Sequence, residues 1–582
     1  MPSVKSVSYS APVSLNRPPR GFRLFSNGLH SEWVTRDGEI CHERLCGWIE
    51  ATGVTHDVHG REYGRVVEFI TIDNRRLRRV IRASDIVGAQ SRVIRDLIDE
   101  GFDVEMTGQQ GLAICLYKWR PAQRFTVTRR RGWLPDHEAF VLPEGETLGA
   151  QNVLYTGPDD LRAAPVRGTL DGWRDEIAAR ARGNPLLMVA LSTAFAGPLV
   201  EPLGLENGML HFRGGSSSGK STLLYAGTSV WWAPDGVRRW RATANGLEGI
   251  AERANGMLLA LDELAEVDGS AADAAVYMLG NGEGKARSKS NGQLGRPAYW
   301  RLIMLSSGEI SLRQKLKEAG RTAQAGQAVR ALDIAADAQT FGAFDDLHDC
   351  HDGRVFSDAL RDAAAQHHGI AGPSFVAALL RDQPAAREAA RKVMERFIRK
   401  AEELYPRTGA GVTGRARKRF ALIASAGELA TKFGITDWQA GEATDAALSI
   451  FGLWLDGRGA HEDPFDADAV QRVKSFLAQG HDRLLDLDGA ENVDAPVGCK
   501  KGDHVFLTSQ TWEHIHQGEC PKRAAQALQR RGFLEFGDGR NIKARMPAGV
   551  SGESRGYKLR RCILDDVVSD RSDMSEDTEN KT

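Results

Sequence analysis

Different hydrophobic patterns follow one another along the chain and predict different kinds of structure. Between residues 21 and 156, apolar and polar residues alternate in short runs, as in EYGRVVEFITIDNRRLRRVIRA from Glu62. A period of two is typical of strands, and the Asp73-Asn74 pair predicts a turn between two of them. We therefore expect a β-rich N-terminal domain over residues 21–156, with one helix near Ser91–Glu100.

Short apolar strands alternate with helices between residues 165 and 340. The runs GMLHFRG, GMLLALDE and RLIMLSS are separated by segments with helical spacing, and this order predicts a three-layer α/β domain. The long apolar run Leu186–Val200 predicts a buried helix capped by Asn184 and Pro185, which are residue types favoured at helix starts.

The remaining segments differ in composition and in the spacing of their hydrophobic residues. Residues 341–482 are Ala-rich with helical periodicity, which predicts a helical lid or bundle. Residues 483–565 give a strand, two helices and two further strands, an order that is winged-helix-like. Residues 1–20 are expected to be a flexible tail, and residues 566–582 an acidic disordered tail with too few apolar positions to fold.

Composition narrows the function classes only slightly. The 582 residues hold 76 Lys and Arg against 77 Asp and Glu, so any surface that binds nucleic acid must be local. Hydrophobic residues make up 42% and charged residues 26% of the chain, which is typical of a globular protein. Seven scattered cysteines favour a reducing compartment, and no apolar run is long enough to span a bilayer. The predicted location is the cytoplasm.

A phosphate-binding loop is the clearest chemical signal. The segment GGSSSGKST fits GxxxxGK[ST], lies between a predicted strand and a predicted helix, and can wrap phosphates with backbone N–H groups. Lys220 would reach the β and γ phosphates. The predicted nucleotide-binding residues are Gly214, Gly215, Ser216, Ser217, Ser218, Gly219, Lys220, Ser221 and Thr222.

Two carboxylates follow an apolar strand about forty residues later. Asp262 and Glu263 end the run MLLALDE, so Asp262 is expected to hold Mg²⁺ together with Ser221, and Glu263 to orient or polarise the attacking water. This pair favours ATP hydrolysis over simple nucleotide binding, with ATP and Mg²⁺ as the cofactors. A third apolar strand ends in Ser306 and Ser307, which are candidates for sensing the γ-phosphate.

Two basic segments are candidates for DNA binding. Lys285 and Arg287 lie in NGEGKARSKSNGQLGRPAYW, which predicts a basic hairpin, although a solvated loop would have a similar composition. Arg523 and Arg530 lie on the candidate recognition helix of the winged-helix-like segment, and Arg540 in its candidate wing. A winged helix that docks on a protein is the alternative there.

Three arginines are candidates for contacting the γ-phosphate, two of them from a neighbouring subunit. Arg321 and Arg330 follow the third strand, and either fits an arginine finger. Arg419, at the start of the helix RKRFALIASAGELATKF, is a further candidate for sensing nucleotide. Surface salt bridges and ordinary solvation are the alternatives, and the choice among these residues stays open.

Taken in order, these motifs resemble the domain of unknown function nine-two-seven, which is carried on phages and integrative elements of bacteria and whose members look like MCM-type AAA+ helicases. The resemblance runs from about Gly21 to Leu564. It includes YGRVVEFITIDNRR, RRRGWLPDHEAFVLP, the phosphate loop, WRATANGLEGIAERANGMLLALDEL, YMLGNGEGKAR, LIMLSSGEISL, AGQAVRALDI, RFALIASAGELA and GFLEFGDGRN. It implies a P-loop AAA+ ATPase core over residues 165–340 that assembles as a ring, expected to be a hexamer, with DNA threaded through the centre. Lys285 would then lie in a pore hairpin.

The resemblance and the motifs together predict a DNA helicase that couples ATP hydrolysis to movement on single-stranded DNA. The catalytic set would be Lys220, Asp262, Glu263, Ser307 and Arg330. Its partners would be single-stranded DNA in the pore, a forked duplex, further copies of the chain, and a primase or polymerase. A DNA loader or scaffold that does not unwind, and a nucleotide-controlled switch in defence or regulation, are the alternatives.

Overall fold

The architecture is described from a computed structural model of the chain. It describes residues 16–87, 92–158, 165–285, 297–318, 330–406, 411–457, 464–479, 484–487, 496–517, 520–530, 532–535, 537, 542–547, 554–561 and 563. Most of the predicted N-terminal tail, all of the acidic C-terminal tail, and Arg287, Arg321 and Arg540 lie outside these ranges. Within them, no helix combines the length and apolarity needed to cross a membrane.

The N-terminal region is rich in β-strands. A three-stranded sheet, a second short three-stranded sheet and a five-stranded sheet of order β11-β7-β4-β5-β6 are formed here. The strands are β1 (Phe22–Phe25), β2 (Gly28–Val34), β3 (Ile40–Cys46), β4 (Ile49–Asp57), β5 (Gly64–Ile70), β6 (Arg76–Arg82), β7 (Arg124–Thr128), β8 (Gly132–Trp133), β9 (Phe140–Val141), β10 (Thr147–Leu148) and β11 (Val153–Tyr155).

The predicted hairpin of the N-terminal region is confirmed. Strands β5 and β6 pair antiparallel around a turn in which Asn74 has φ 62°, a conformation that Asn tolerates better than most residues. Three helices, α1 (Ala83–Ile86), α2 (Arg92–Asp99) and α3 (Gln109–Lys118), accompany the sheet, whereas the sequence predicted only the second of them. The buried face of α2 packs with Phe69 and Trp119 in one apolar cluster, which joins helices and sheet into a single core.

A parallel five-stranded sheet forms the centre of the next region. Its order is β13-β14-β15-β12-β16, and all its pairings are parallel. The strands are β12 (Gly208–Arg213), β13 (Arg238–Arg239), β14 (Leu258–Asp262), β15 (Ile303–Gly308) and β16 (Ala331–Ala335). Strands β12, β14 and β15 are almost completely buried, as their continuous apolar sequences predict.

Helices surround this sheet. They are α4 (Leu170–Trp173), α5 (Pro185–Val200), α6 (Lys220–Ser229), α7 (Ala244–Arg253), α8 (Gly269–Asn281) and α9 (Leu312–Glu318). The buried helix α5 begins at Pro185 as predicted, but the side chain of Asn184 forms no cap, so that prediction was wrong. The Asn184 amide instead forms hydrogen bonds with the backbone of Arg180, Asp345 and Asp346. Buried backbone groups need hydrogen-bond partners, and an amide that serves them cannot also cap the helix.

After β16, the described residues 336–352 form turns and an isolated bridge between Gln339 and Gly342. Six helices follow from Gly353 to Gln479 within the described ranges, in agreement with the Ala-rich periodicity. The helices are α10 (Gly353–Gln366), α11 (Ala371–Arg381), α12 (Gln383–Leu404), α13 (Val412–Lys432), α14 (Glu442–Asp456) and α15 (Pro464–Gln479).

The C-terminal region forms a mainly antiparallel sheet of order β17-β18-β19-β22-β20, with β21 paired to β22. Its strands are β17 (Leu484–Asp486), β18 (Gly498–Lys501), β19 (His504–Thr508), β20 (Leu534–Glu535), β21 (Ala544–Arg545) and β22 (Arg555–Arg560). Helices α16 (Ser509–Ile515) and α17 (Pro521–Arg530) lie between β19 and β20, which confirms the predicted strand-helix-helix-strand order.

The chain divides into two compact units. The first comprises the described residues of Met1–Ala323, Arg330–Ala401 and Arg417–Phe451, and the second those of Glu402–Ala416 and Gly452–Thr582. The β-rich region and the parallel sheet both belong to the first unit.

Candidate functional site

The predicted phosphate loop connects strand β12 to helix α6. Strand β12 ends at Arg213 and α6 begins at Lys220, so the six residues between them form the loop. Gly219 has φ +92°, and a Cβ there would come within 2.8 Å of the Phe344 ring, so glycine is required. The loop ends at the first turn of α6, whose free N–H groups and partial positive charge favour an anion.

Lys220 is folded against this loop. Its side chain is only 9% exposed, and its ammonium donates to the Gly214 carbonyl oxygen at 2.9 Å, to that of Gly215 and to Ser218 Oγ at 3.3 Å. A buried ammonium needs such acceptors to offset its lost hydration. The positive charge is thereby held among the backbone groups of the loop.

The acidic pair lies at the same edge of the sheet. Asp262 is the last residue of β14 and Glu263 follows it, both half-buried. Glu263 has φ 63° and ψ 61°, a left-handed conformation that is strained for a residue with a side chain and recurs at functional sites. The Glu263 N–H donates to Asp262 Oδ1 at 3.1 Å, and this bond fixes the Asp262 carboxylate against the backbone of the turn.

The two candidate sensor serines face different surroundings. The Ser307 hydroxyl donates to Asp262 Oδ1, so the structure brings Ser307 to the acidic pair. Ser306 is instead buried in the core, where its hydroxyl accepts from Trp240 Nε1 at 2.8 Å and contacts His211 Nδ1 at 2.9 Å. Alternation along strand β15 puts the two serines on opposite faces of the sheet.

His211 is part of this core network. Its Nε2 lies 3.0 Å from the Ile310 carbonyl oxygen, so Nε2 carries the proton and Nδ1 accepts from Ser306. Burial lowers the pKa of His211, which keeps the imidazole neutral. The sequence pattern gave no sign of this network, because both residues look like ordinary members of buried strands.

The segment after β16 supports the phosphate loop from one side. Asp337 Oδ2 accepts from the Gly215 N–H at 3.1 Å, and the Ala343 N–H donates to the Ser218 carbonyl oxygen at 2.8 Å. These contacts exist because β16 pairs directly with β12. No local pattern in the sequence points to Asp337, because only the strand order brings it to the loop.

The arrangement fits a nucleoside triphosphate with a divalent cation. Strands β12 and β14 flank β15, so the loop and Asp262 lie about 10 Å apart across one intervening strand. Ligands of open α/β sheets bind beyond the carboxyl ends of the strands, where the connections diverge to either side. The oxygens of Ser221 and Asp262 are of the hard type that Mg²⁺ prefers.

Lys285 lies at the base of a hairpin that ends shortly before the amino end of strand β15. The Gly284 N–H donates to the Ala298 carbonyl oxygen at 2.8 Å, and the Trp300 N–H to that of Gly282 at 2.9 Å. The chain therefore returns antiparallel to itself, as the sequence predicted for this segment. Residues 286–296, including Arg287, lie outside the described ranges.

Arg330 and Arg419 are also distant from the phosphate loop of the same chain. Arg330 immediately precedes β16; it donates to Asn281 Oδ1 at 2.7 Å and lies over the Tyr277 ring at 4.6 Å. Arg419 donates to the Asn207 carbonyl oxygen at 3.0 Å, just before β12 begins. Both therefore lie at the amino ends of strands of five to six residues, about 15–20 Å from the carboxyl ends.

The C-terminal basic residues are only partly described. Arg523 is half-buried on α17, Arg530 ends that helix, and Arg540 lies outside the described residues. Lys558 and Arg560 of β22 both bond Glu535, and mainly the Lys558 bond lowers the pKa of Glu535 to about 2. Those two cations are thus engaged with a carboxylate of their own sheet.

The comparisons with known proteins agree with this fold. Residues 22–299 match the family model described as "Domain of unknown function (DUF927)", which confirms the expected resemblance over that part of the chain. The chain is similar to the solved structure of "SCCmec type IV Cch - active helicase", with a TM-score of 0.69 and 19% identity over 94% of this chain and 99% of that one. No curated protein sequence matches.

Proposed function

We propose, starting from the match of residues 22–299 to the domain of unknown function DUF927, that the chain is an ATP-hydrolysing DNA helicase of a phage or integrative mobile element. The observation that carries the proposal is the common edge formed by the loop at Gly214–Gly219, the Asp262-Glu263 pair and Ser307. The neighbour of similar fold is described as an active helicase, and that description supports the DNA-unwinding part of the proposal.

In this proposal, the loop and Lys220 bind the triphosphate. The N–H groups at the start of α6 and the Lys220 ammonium offset the negative charge of the β and γ phosphates. Ser221 and Asp262 would hold Mg²⁺, which when bound supplies further charge neutralisation at the phosphate oxygens. The contacts of Lys220 with Gly214 and Gly215 support its role, because they fix the ammonium at the centre of the loop.

Glu263 is the proposed base or orienting group for the attacking water. Its half-buried carboxyl follows Asp262 in a strained turn, which sets its direction independently of ordinary helical or strand geometry. Ser307, which bonds Asp262, is the sensor that we favour over Ser306. Hydrolysis is then catalysed by positioning and by charge stabilisation.

The DNA-binding side of the proposal rests on the hairpin and on the resemblance to MCM-type AAA+ proteins. We assign residues 165–340 to the AAA+ core, residues 341–482 to its helical lid, and residues 483–565 to a winged helix. The resemblance implies a ring, expected to be a hexamer, in which Lys285 faces single-stranded DNA. Arg330 remains our candidate for the arginine finger in trans, since its position lies far from its own subunit's loop.

The experiment that tests the proposal measures ATP turnover and assembly together. Purified protein is assayed for ATP hydrolysis with and without single-stranded DNA. The molecular mass of the assembly in solution is measured with and without Mg-ATP. We expect turnover that DNA stimulates and a ring that forms with nucleotide. DNA-stimulated turnover without strand separation would favour a loader or scaffold. Assembly on ATP without any response to nucleic acid would favour a regulatory switch.

A further inference from the structure

Tyr299, at the base of the hairpin, is in contact with two guanidinium groups. Arg301 lies 4.4 Å from the centre of its ring and Arg130 lies 4.9 Å from it, and the tyrosine is still 38% exposed. Guanidinium groups at this distance are attracted electrostatically to an aromatic ring. Arg301 lies two residues before strand β15, and Arg130 belongs to the β-rich N-terminal region.

A buried asparagine connects the same groups to the sheet. Asn255 is fully buried, and its Oδ1 accepts from the Arg301 backbone N–H at 2.8 Å and from Arg130 Nη2 at 3.1 Å. Its Nδ2 donates to the Arg131 carbonyl oxygen. A single amide therefore joins the N-terminal region to the chain just before strand β15.

Asn255 and Arg301 lie just before two neighbouring strands that end at the acidic pair and at Ser307. Asn255 stands three residues before β14, and Arg301 two residues before β15. The far ends of these two strands carry Asp262 and Ser307, which bond one another. Two neighbouring buried strands are thus tied together at both ends, once at the acidic pair and once at Asn255.

The hairpin is tied to the same place. Glu283 and Tyr299 are bridge partners, and Tyr299 and Lys285 line the same cavity of about 970 Å³, as do Arg129 and Arg130. A shift of β14 against β15 at the acidic pair would therefore move Asn255 against Arg301, and the two arginines that contact the Tyr299 ring would move with them. Packed strands transmit such shifts because interiors resist compression.

We propose that Tyr299 is a positioning residue. It couples the sheet edge that carries the phosphate loop and the Asp262-Glu263 pair to the hairpin, and Arg130 extends this coupling to the N-terminal region. The inference rests on the proposed function and deepens it. The tyrosine ring, held by the two arginines, sets the position of the hairpin base according to the relative position of β14 and β15. Nothing in this role requires Tyr299 to touch nucleotide or DNA.

The chain offers a matched set of variants for the test. Tyr299→Phe keeps the ring and therefore the cation–π contacts, whereas Tyr299→Leu keeps an apolar side chain without a ring. Arg130→Ala removes one guanidinium. Arg129→Ala removes an exposed, adjacent charge that lines the same cavity. Since Tyr299 is partly exposed, its substitutions leave the core intact.

Hydrogen exchange of the full chain is measured with and without a non-hydrolysable ATP analogue and Mg²⁺, beside ATP turnover with and without single-stranded DNA. We expect the analogue to slow exchange at the loop in every variant. At residues 282–285 and 297–300, it should slow exchange in the wild type, Tyr299→Phe and Arg129→Ala, but not in Tyr299→Leu or Arg130→Ala. The last two should keep basal turnover and lose about tenfold in DNA stimulation.

Other outcomes have distinct meanings. An unchanged hairpin response in Tyr299→Leu, or an equal loss in Tyr299→Phe, would overturn the inference, as would a wild-type hairpin that ignores the analogue. If the wild-type loop itself gained no protection from the analogue, the proposed nucleotide site would fail, and the inference with it.

Discussion

The Ser307 hydroxyl donates a hydrogen bond to the carboxylate of Asp262. Ser307 is almost completely buried, so the bond orients a carboxylate that we propose as a metal ligand. Groups that orient a ligand in this way commonly affect activity about 10- to 100-fold. We expect Ser307→Ala to lower the kcat for ATP by such a factor, with a smaller change in nucleotide affinity, in steady-state and equilibrium binding assays.

Ser306→Ala provides the matched control for that prediction. It leaves Trp240 Nε1 and His211 Nδ1 without their buried partner, so the free energy of unfolding should fall by about 1–3 kcal/mol. ATP turnover per folded molecule should stay near the wild-type value. A larger loss of turnover in Ser306→Ala than in Ser307→Ala would reverse our assignment of the two serines.

Lys220→Ala should abolish ATP turnover. The ammonium lies among the carbonyl groups of the loop, and its charge would stabilise the phosphates most strongly when negative charge moves to the leaving group. Turnover is measured by phosphate release, with Lys317→Ala, an exposed lysine of α9, as the control. Undiminished hydrolysis in Lys220→Ala would reject the site.

Glu263→Gln should retain ATP binding and slow hydrolysis by about 10²- to 10⁴-fold, since the shape persists while the base or orienting charge is lost. Glu266→Gln serves as the control, because Glu266 lies in the same turn and pairs with Arg239 at 2.9 Å. Nucleotide binding is measured by equilibrium titration and turnover by single-turnover kinetics. Weak binding combined with normal turnover would contradict the assigned role.

Lys285→Ala should leave basal ATP hydrolysis unchanged and reduce its stimulation by single-stranded DNA. Lys285 belongs to the hairpin base and not to the edge that carries Asp262, so its charge can act on DNA phosphates without touching ATP. Each lost phosphate contact should also reduce the salt dependence of DNA binding by about one unit of slope. Equal stimulation and equal salt dependence in the variant would argue against a DNA contact.

The stability of the C-terminal region should decrease in mild acid because of His516. Burial, with a smaller contribution from Arg472, lowers the pKa of His516 to about 4, whereas an unfolded histidine has a pKa of about 6.5. Between these values the unfolded state binds more protons, so stability is complete above about pH 6.5 and is lost as the pH falls toward 4, by about 3 kcal/mol in total.

Hydrogen exchange of helix α16, corrected for the intrinsic rate at each pH, measures this effect. His516→Gln should remove most of the dependence on pH, whereas His514→Gln, which changes an exposed histidine of the same helix, should not. A wild-type helix with constant protection between pH 7 and pH 4.5 would contradict the prediction.

The sequence predicted the parts of the site that depend on neighbouring residues. The loop, the strand before it and the helix after it are specified within about twenty residues, so Gly219 and Lys220 could be located directly. Likewise, the hairpin around Asn74 follows from alternation and one turn. Local patterns carry this information because strand and helix periods are set by the backbone itself.

Contacts between distant segments could not be predicted in the same way. The pairing of Ser307 with Asp262 depends on β15 lying beside β14, and that of Asp337 with Gly215 on β16 lying beside β12. Asn255, which precedes a glycine, resembles an ordinary residue at a helix end, so its buried contacts give no local signal. These residues are placed by hydrogen bonds between polar groups that are distant in sequence and buried together in the fold.

The most direct test is ATP-dependent unwinding of a forked DNA duplex by the purified protein, with Lys220→Ala and Glu263→Gln measured beside it. The proposed function predicts that the wild type separates the strands only with ATP and Mg²⁺, and that both variants fail although they remain folded. Unwinding that persists in Lys220→Ala, or a wild type that hydrolyses ATP in response to DNA without separating the strands, would contradict it.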